Sequence, residues 1–158
     1  SIVRQTPIDE FTNVVGGTGV VFTATFNEPV NGVDISDFVI GAGPTGSTIT
    51  GFNAVSTTVY EVTVTGYSDD GGLNIDFSGG QNITDIANNS FVPGTGITGE
   101  ENYVIDLTQP TVVLSSNDAD AIVKDADLVT ITATFVETNS IAADPTLSIS
   151  GGLVTNAA

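Results

Sequence analysis

Carboxylates are the side chains of this chain with the most chemical potential. In the stretch NDADAIVKDAD, Asp118, Asp120, Asp125 and Asp127 fall within ten residues, and Asp106 lies a short way upstream. Aspartates at alternate positions on a loop suit a hard cation, because Ca²⁺ takes about six to eight oxygens from several carboxylates and carbonyls. The spacing is not that of the twelve-residue EF-hand loop. A smaller set comprises Asp69 and Asp70 with Asp85. Each set also has a purely local reading, since Asn and Asp are common turn residues and Asp caps helices. On that reading Asp70-Gly71 makes a turn and Asp85 caps a short helical turn at 84–88. Glu28 recurs as Glu137, shortly after an inward-facing Phe in both places. A carboxylate there can accept backbone hydrogen bonds at a strand end or ligate an ion.

Other chemistries lack their residues. The chain has no His, Cys, Met or Trp. That removes Ser-His-Asp catalysis, cysteine nucleophiles, disulfides and thiolate zinc sites. A glycosidase needs two carboxyls about 5–10 Å apart across a cleft, with aromatic side chains to hold the sugar. Three Tyr and eight Phe are too few once the core has taken its share. The expectation is a protein that is not an enzyme. Its formal charge of −17, from nineteen acidic residues against Arg4 and Lys124, opposes phosphate backbones and anionic lipid surfaces and favours cations. Nucleic acid is therefore not an expected partner. No run of about twenty apolar residues exists to insert into a membrane.

The elements that must position these carboxylates are strands. Residues 20–28 (VVFTATFNE) and 129–137 (VTITATFVE) repeat at an offset of 109. Val20, Phe22, Ala24 and Phe26 alternate with Val21, Thr23 and Thr25; Val129, Ile131, Ala133 and Phe135 alternate with three threonines. Period-2 patterning of this kind marks a strand with one face in a core. Further strands are expected at 1–5, 18–26, 37–40, 48–53, around Tyr60-Val62-Val64, around Leu73-Ile75-Phe77, and at 102–107. Asp69-Asp70-Gly71-Gly72 suits a hairpin turn between the two strongest of these, and 79–99 reads as a long irregular connection. About seven strands in 1–108 make one antiparallel β-sandwich of immunoglobulin-like size. Thr108-Gln109-Pro110 is the boundary, short and stiffened by its proline. Residues 109–158 then begin a second copy, which opens with a strand at 111–116 and runs on through 147–149. At less than half a domain, this copy is expected to leave faces and edges uncovered. The start at Ser1, without initiator Met or signal peptide, reads as a processed or excised fragment.

Several segments carry a family resemblance: TATFNEPVNGVDISDFVI, YEVTVTG, LNIDF, ITDIANNSF and YVIDLTQPTV. They resemble the bacterial Ig-like tandem repeats of giant secreted and cell-surface adhesins. Those repeats carry F-S-E-P-V-x-G-V-x-x-x-D-F, I-x-D-x-A-G-N and Y-x-I-D-x-T-x-P; Asn89 and Leu107 depart from the pattern. The second copy resembles Ig-like repeats of large multi-repeat proteins of the Bacteroidetes type. The resemblance implies an extracellular spacer whose partners are other repeats of the same polypeptide. It also implies Ca²⁺ at the junction carboxylates. The alternatives are a calcium-assisted module for an extracellular glycan or surface receptor, and a surface-layer subunit completed in trans. Residues 5–108 contain neither Lys nor Arg, so no Lys–Asn isopeptide bond staples this repeat.

Overall fold

A computed structural model describes residues 1–94, 99–118 and 128–136. The chain divides into two compact units, Ser1–Thr108 and Gln109–Ala158. The described residues are all-β, with only a short 3-10 turn at Ile35–Asp37.

In the first unit, β1 (Ile2–Thr6), β3 (Val20–Thr25), β7 (Val59–Thr65) and β6 (Thr48–Ala54) form one sheet in the order β1-β3-β7-β6. A second sheet has the order β2-β10-β8-β5, from β2 (Phe11–Thr12), β10 (Tyr103–Ile105), β8 (Gly71–Phe77) and β5 (Phe38–Ala42). The alternation seen in the sequence sets the inner faces. Val20, Phe22 and Ala24 of β3 and Val62 and Val64 of β7 are fully buried; opposite them lie Leu73, Ile75, Tyr103 and Ile105. These residues form one core, and the Phe22 and Tyr103 rings meet edge to face across it at 5.0 Å. Burying each such side chain contributes about 1.5–3 kcal/mol, so the interleaved inner faces dominate the stability of the unit.

Three sequence expectations need correction. The residues 69–72 do not turn a hairpin, because β7 and β8 belong to different sheets. Both edges of β7 are already taken by β3 and β6. The 66–70 connection instead carries the chain across the core, where Tyr67 is buried. Secondly, the sandwich is not wholly antiparallel. β1 pairs with β3, but after Thr6-Pro7 (a cis peptide) the chain changes sheets and β2 runs parallel to β10. Thirdly, 79–99 is not simply irregular. Within it β9 (Thr84–Asp85) pairs antiparallel with β4 (Val30–Asn31), and Ile83 is fully buried against Val30 and Tyr60. The helical turn expected at 84–88 is a turn closed by the Asn88 N–H to the Asp85 carbonyl (3.1 Å), with Asn88 at φ 65°.

In the second unit β11 (Thr111–Ser116) pairs antiparallel with β12 (Ile131–Val136). Asn117 closes the ribbon: its side-chain oxygen accepts the Thr130 N–H (2.7 Å) and its amide donates to the Leu128 carbonyl (3.2 Å). Val112 and Leu114 share a face with Ala133 and Phe135, and all four are exposed. In the first unit Ala24, which matches Ala133, is fully buried beneath the opposing sheet, and Phe26, which matches Phe135, is half-buried. Residues 137–158, the remainder of the second copy, lie outside the described residues.

Candidate functional site

Strand direction sorts the carboxylates of the first unit between two poles. The entry pole holds Ser1, whose ammonium donates to the Thr25 carbonyl (2.8 Å), and the start of β10, where the Glu101 N–H reaches the Ile2 carbonyl (3.1 Å). The 26–37 and 55–58 connections and the described residues of 78–102 also lie there. The exit pole holds the 43–47 and 66–70 connections and the end of β10.

Asp69 and Asp70 belong to the exit pole, and both are engaged. Asp69 accepts from the Thr45 N–H and hydroxyl, each at 2.7 Å. Asp70 accepts from the Leu107 N–H (2.6 Å) and from the Thr108 hydroxyl. These charge-assisted bonds span 37 and 38 residues of chain and fix the segment that leaves the sandwich. The Thr108 hydroxyl, and then the Leu107 N–H, hold the Asp70 carboxyl below the usual carboxylate range. Asp106 accepts the Thr108 N–H at 3.1 Å and borders a shallow depression beside Pro7 and Phe11. Two consecutive residues at the exit, Leu107 and Thr108, are therefore held by side-chain oxygens.

Asp85 belongs to the entry pole. Seven residues of β8 alone separate Asp70 from the loops at that end, roughly 23 Å at about 3.3 Å per residue. The smaller set of Asp69, Asp70 and Asp85 is thus not brought together. Nor does Asp85 cap a helix. It ends β9 and accepts from the Asn89 N–H (2.8 Å) and side-chain amide (2.7 Å), which lower its pKa, the side-chain bond most. Of the junction set, Asp106 and Asp118 lie in the described residues, in different units; Asp120, Asp125 and Asp127 lie outside them, as does Glu137. Among the described residues no three His, Cys, Asp or Glu side chains are placed to hold a metal ion.

Asp85 has another neighbour that sequence reading had not paired with it. Glu28, Asp85 and Asn89 rim a groove of about 300 Å³ whose apolar lining includes Phe26, Val30 and Phe91. The lining is rigid. Gln81 donates to the Phe91 carbonyl (2.7 Å) and accepts the Ile83 N–H (2.7 Å), while Phe91 packs on Phe26 and Phe77 at 5.4 and 4.8 Å. The recurrence of Glu28 was the sequence signal for this place.

Two further residues escaped sequence reading as structural keys. The buried Tyr103 hydroxyl reaches the Pro7 carbonyl (2.7 Å) and the Val21 carbonyl (2.8 Å), and accepts the Gln5 N–H (3.1 Å). It joins β10, β3 and the sheet-switching segment. Asp37, also buried, accepts the Asp34 N–H (2.7 Å) in a reciprocal capping box before β5.

No protein-family model, curated protein or solved structure matches the chain. Among the described residues no helix is long and apolar enough to cross a membrane.

Proposed function

We propose that this chain is a non-catalytic spacer segment of an exported bacterial adhesin, built from Ig-like repeats, that holds a distal binding region away from the cell. The observation that carries this reading is polarity. β2 runs parallel to the last strand β10, and β1 enters beside the start of β10, so the chain enters the first unit at one pole and leaves at the other. A unit of this kind adds its full strand length, roughly 23 Å for seven residues, to any chain of such units. A unit with both ends at one pole would add almost nothing.

Four features support the reading. Lettering the seven main strands in chain order gives A-B-E-D in one sheet and G-F-C in the other, the immunoglobulin-type arrangement. In both units the first strand of the unit pairs antiparallel with the strand bearing the TATF motif. The Asp70 and Asp106 carboxylates hold residues 107 and 108, and Pro110 follows, so the exit is stiff rather than tethered. The strong negative charge keeps neighbouring molecules apart. Location outside the cell and Ca²⁺ at the junction carboxylates belong to this proposal.

The test is small-angle scattering on proteins carrying one, two and three copies of residues 1–108 joined through Thr108-Gln109-Pro110. The maximum dimension should rise by a constant increment per copy. A dimension that levels off after the second copy refutes the spacer reading.

A further inference from the structure

We propose that the entry-pole groove between the 26–30 and 85–92 segments recognises a cationic side chain, lysine or arginine, of a protein partner. The ligand class follows from the lining. Phe26, Val30 and Phe91 give an apolar bed, and Glu28 and Asp85 place two carboxylates at its rim. Lysine and arginine combine the same two characters, a methylene stem that packs on apolar surface and a cationic head that stays at the edge. The head meets carboxylates in charge-assisted hydrogen bonds and phenyl faces in cation–π contact. A volume of about 300 Å³ takes one such side chain.

Charge complementarity requires that the cation come from elsewhere. Residues 1–108 carry thirteen acidic side chains and one cationic side chain, Arg4, and the Ser1 ammonium is committed to the Thr25 carbonyl. Arg4 is committed at another place: it donates to the Ile8 and Asn102 carbonyls (3.3 and 2.8 Å) and lies 3.9 Å from Glu101. Glu28 is exposed and makes no hydrogen bond or ion pair among the described residues. Asp85 keeps lone pairs beyond those given to Asn89 and is held in place by that residue. The Asp85 carboxylate is thus oriented before binding, which lowers the entropic cost of capture. Two carboxylates fall well short of the six to eight oxygens of a Ca²⁺ site, so a cation that brings its own stem fits better than a bare ion.

The experiment is a titration of the full chain, followed by amide chemical shifts, with Nα-acetyl-lysine amide and Nα-acetyl-arginine amide. Nα-acetyl-norleucine amide, CaCl₂ and NaCl at matched ionic strength are the controls. The expected result is saturable shifts confined to 26–30 and 85–92 with a cationic amide only, weakened at least threefold by Glu28→Gln and unchanged by Glu10→Gln. Glu28→Gln removes no bond of the fold, so its spectrum should otherwise overlay the parent. Equal binding of norleucine amide, shifts scattered over the acidic surface, no binding, or groove shifts with Ca²⁺ alone would each overturn the proposal.

Discussion

The three tyrosines give a graded test of the polar accounting inside the sandwich. Tyr103→Phe keeps the ring that packs on Phe22 at 5.0 Å and deletes only the hydroxyl. The Gln5 N–H then loses its acceptor, and the Pro7 and Val21 carbonyls lose the single proton they share. Leaving buried or half-buried backbone groups unpaired costs about 1–3 kcal/mol, so the variant should lose roughly 2 kcal/mol. For a unit of this size that lowers Tm by roughly 8–12 °C. The Tyr60 hydroxyl makes one long bond, 3.3 Å to the Thr57 carbonyl, so Tyr60→Phe should cost about 0.5 kcal/mol. Among the described residues the buried Tyr67 hydroxyl has no partner at all. Its removal relieves an uncompensated desolvation, and Tyr67→Phe should be neutral or up to about 1 kcal/mol more stable. Urea denaturation of the three variants at neutral pH measures the order. Tyr103→Phe within 0.5 kcal/mol of the parent (about the spread of a surface substitution), or Tyr67→Phe as destabilised as Tyr103→Phe, would refute the hydrogen-bond reasoning. Alkaline titration supplies an independent check. Burial above all pushes Tyr103 up to about 12, against opposing bonds from the backbone and the Arg4 charge. A raised folded pKa means the proton is held more tightly in the fold. Its stabilising effect is complete below the unfolded value of about 10 and is lost as pH rises through about 12.

Asp70→Asn should loosen the exit of the first unit, with faster amide exchange at Leu107 and Thr108 and little change at β8. The Asp70 pKa is lowered, so its contribution is present above the ordinary carboxylate value of about 4 and fades as pH falls through the lowered one; a side-chain carboxyl titration by NMR checks this. Gly19→Ala should destabilise by roughly 2 kcal/mol, read by denaturation, because Gly19 sits at φ 77° and a Cβ there would come within 2.4 Å of the Val64 carbonyl oxygen. For the junction carboxylates the measurement is a thermal melt in millimolar Ca²⁺ against Mg²⁺ and NaCl at equal ionic strength. Tenfold excess over the dissociation constant should add roughly 1.4 kcal/mol for Ca²⁺ alone, abolished by Asp118→Ala with Asp120→Ala. Equal stabilisation by all three salts would leave screening as the whole effect.

If the first unit acts as a spacer, the exit clamp and the Tyr103 bonds serve the same end by different means. The clamp is exposed and polar, and it governs the direction in which the chain leaves. The Tyr103 bonds are buried and tie the entering strand to the departing one, the two strands through which tension along the chain would pass. Both depend on contacts between residues nearly forty to one hundred positions apart.

What was legible in the sequence was whatever depends on a residue and its near neighbours. The period-2 runs at Val20–Thr25 and Val59–Thr65 named the buried residues in advance, because a pleated strand sends alternate side chains to opposite faces whatever it pairs with. The missing His and Cys exclude the chemistries that need those side chains for the same reason: composition needs no geometry. Which strand lies beside which was not legible. Asp69-Asp70-Gly71-Gly72 has hairpin chemistry, yet β7 had already found both its neighbours and β8 joined the opposite sheet. The parallel pairing of β2 with β10, the reach of Asp70 to residues 107 and 108, and the placing of Glu28 and Asp85 along one groove are likewise long-range choices. They are settled by closing one core and satisfying backbone groups across the whole unit, and no local pattern in the chain encodes that competition.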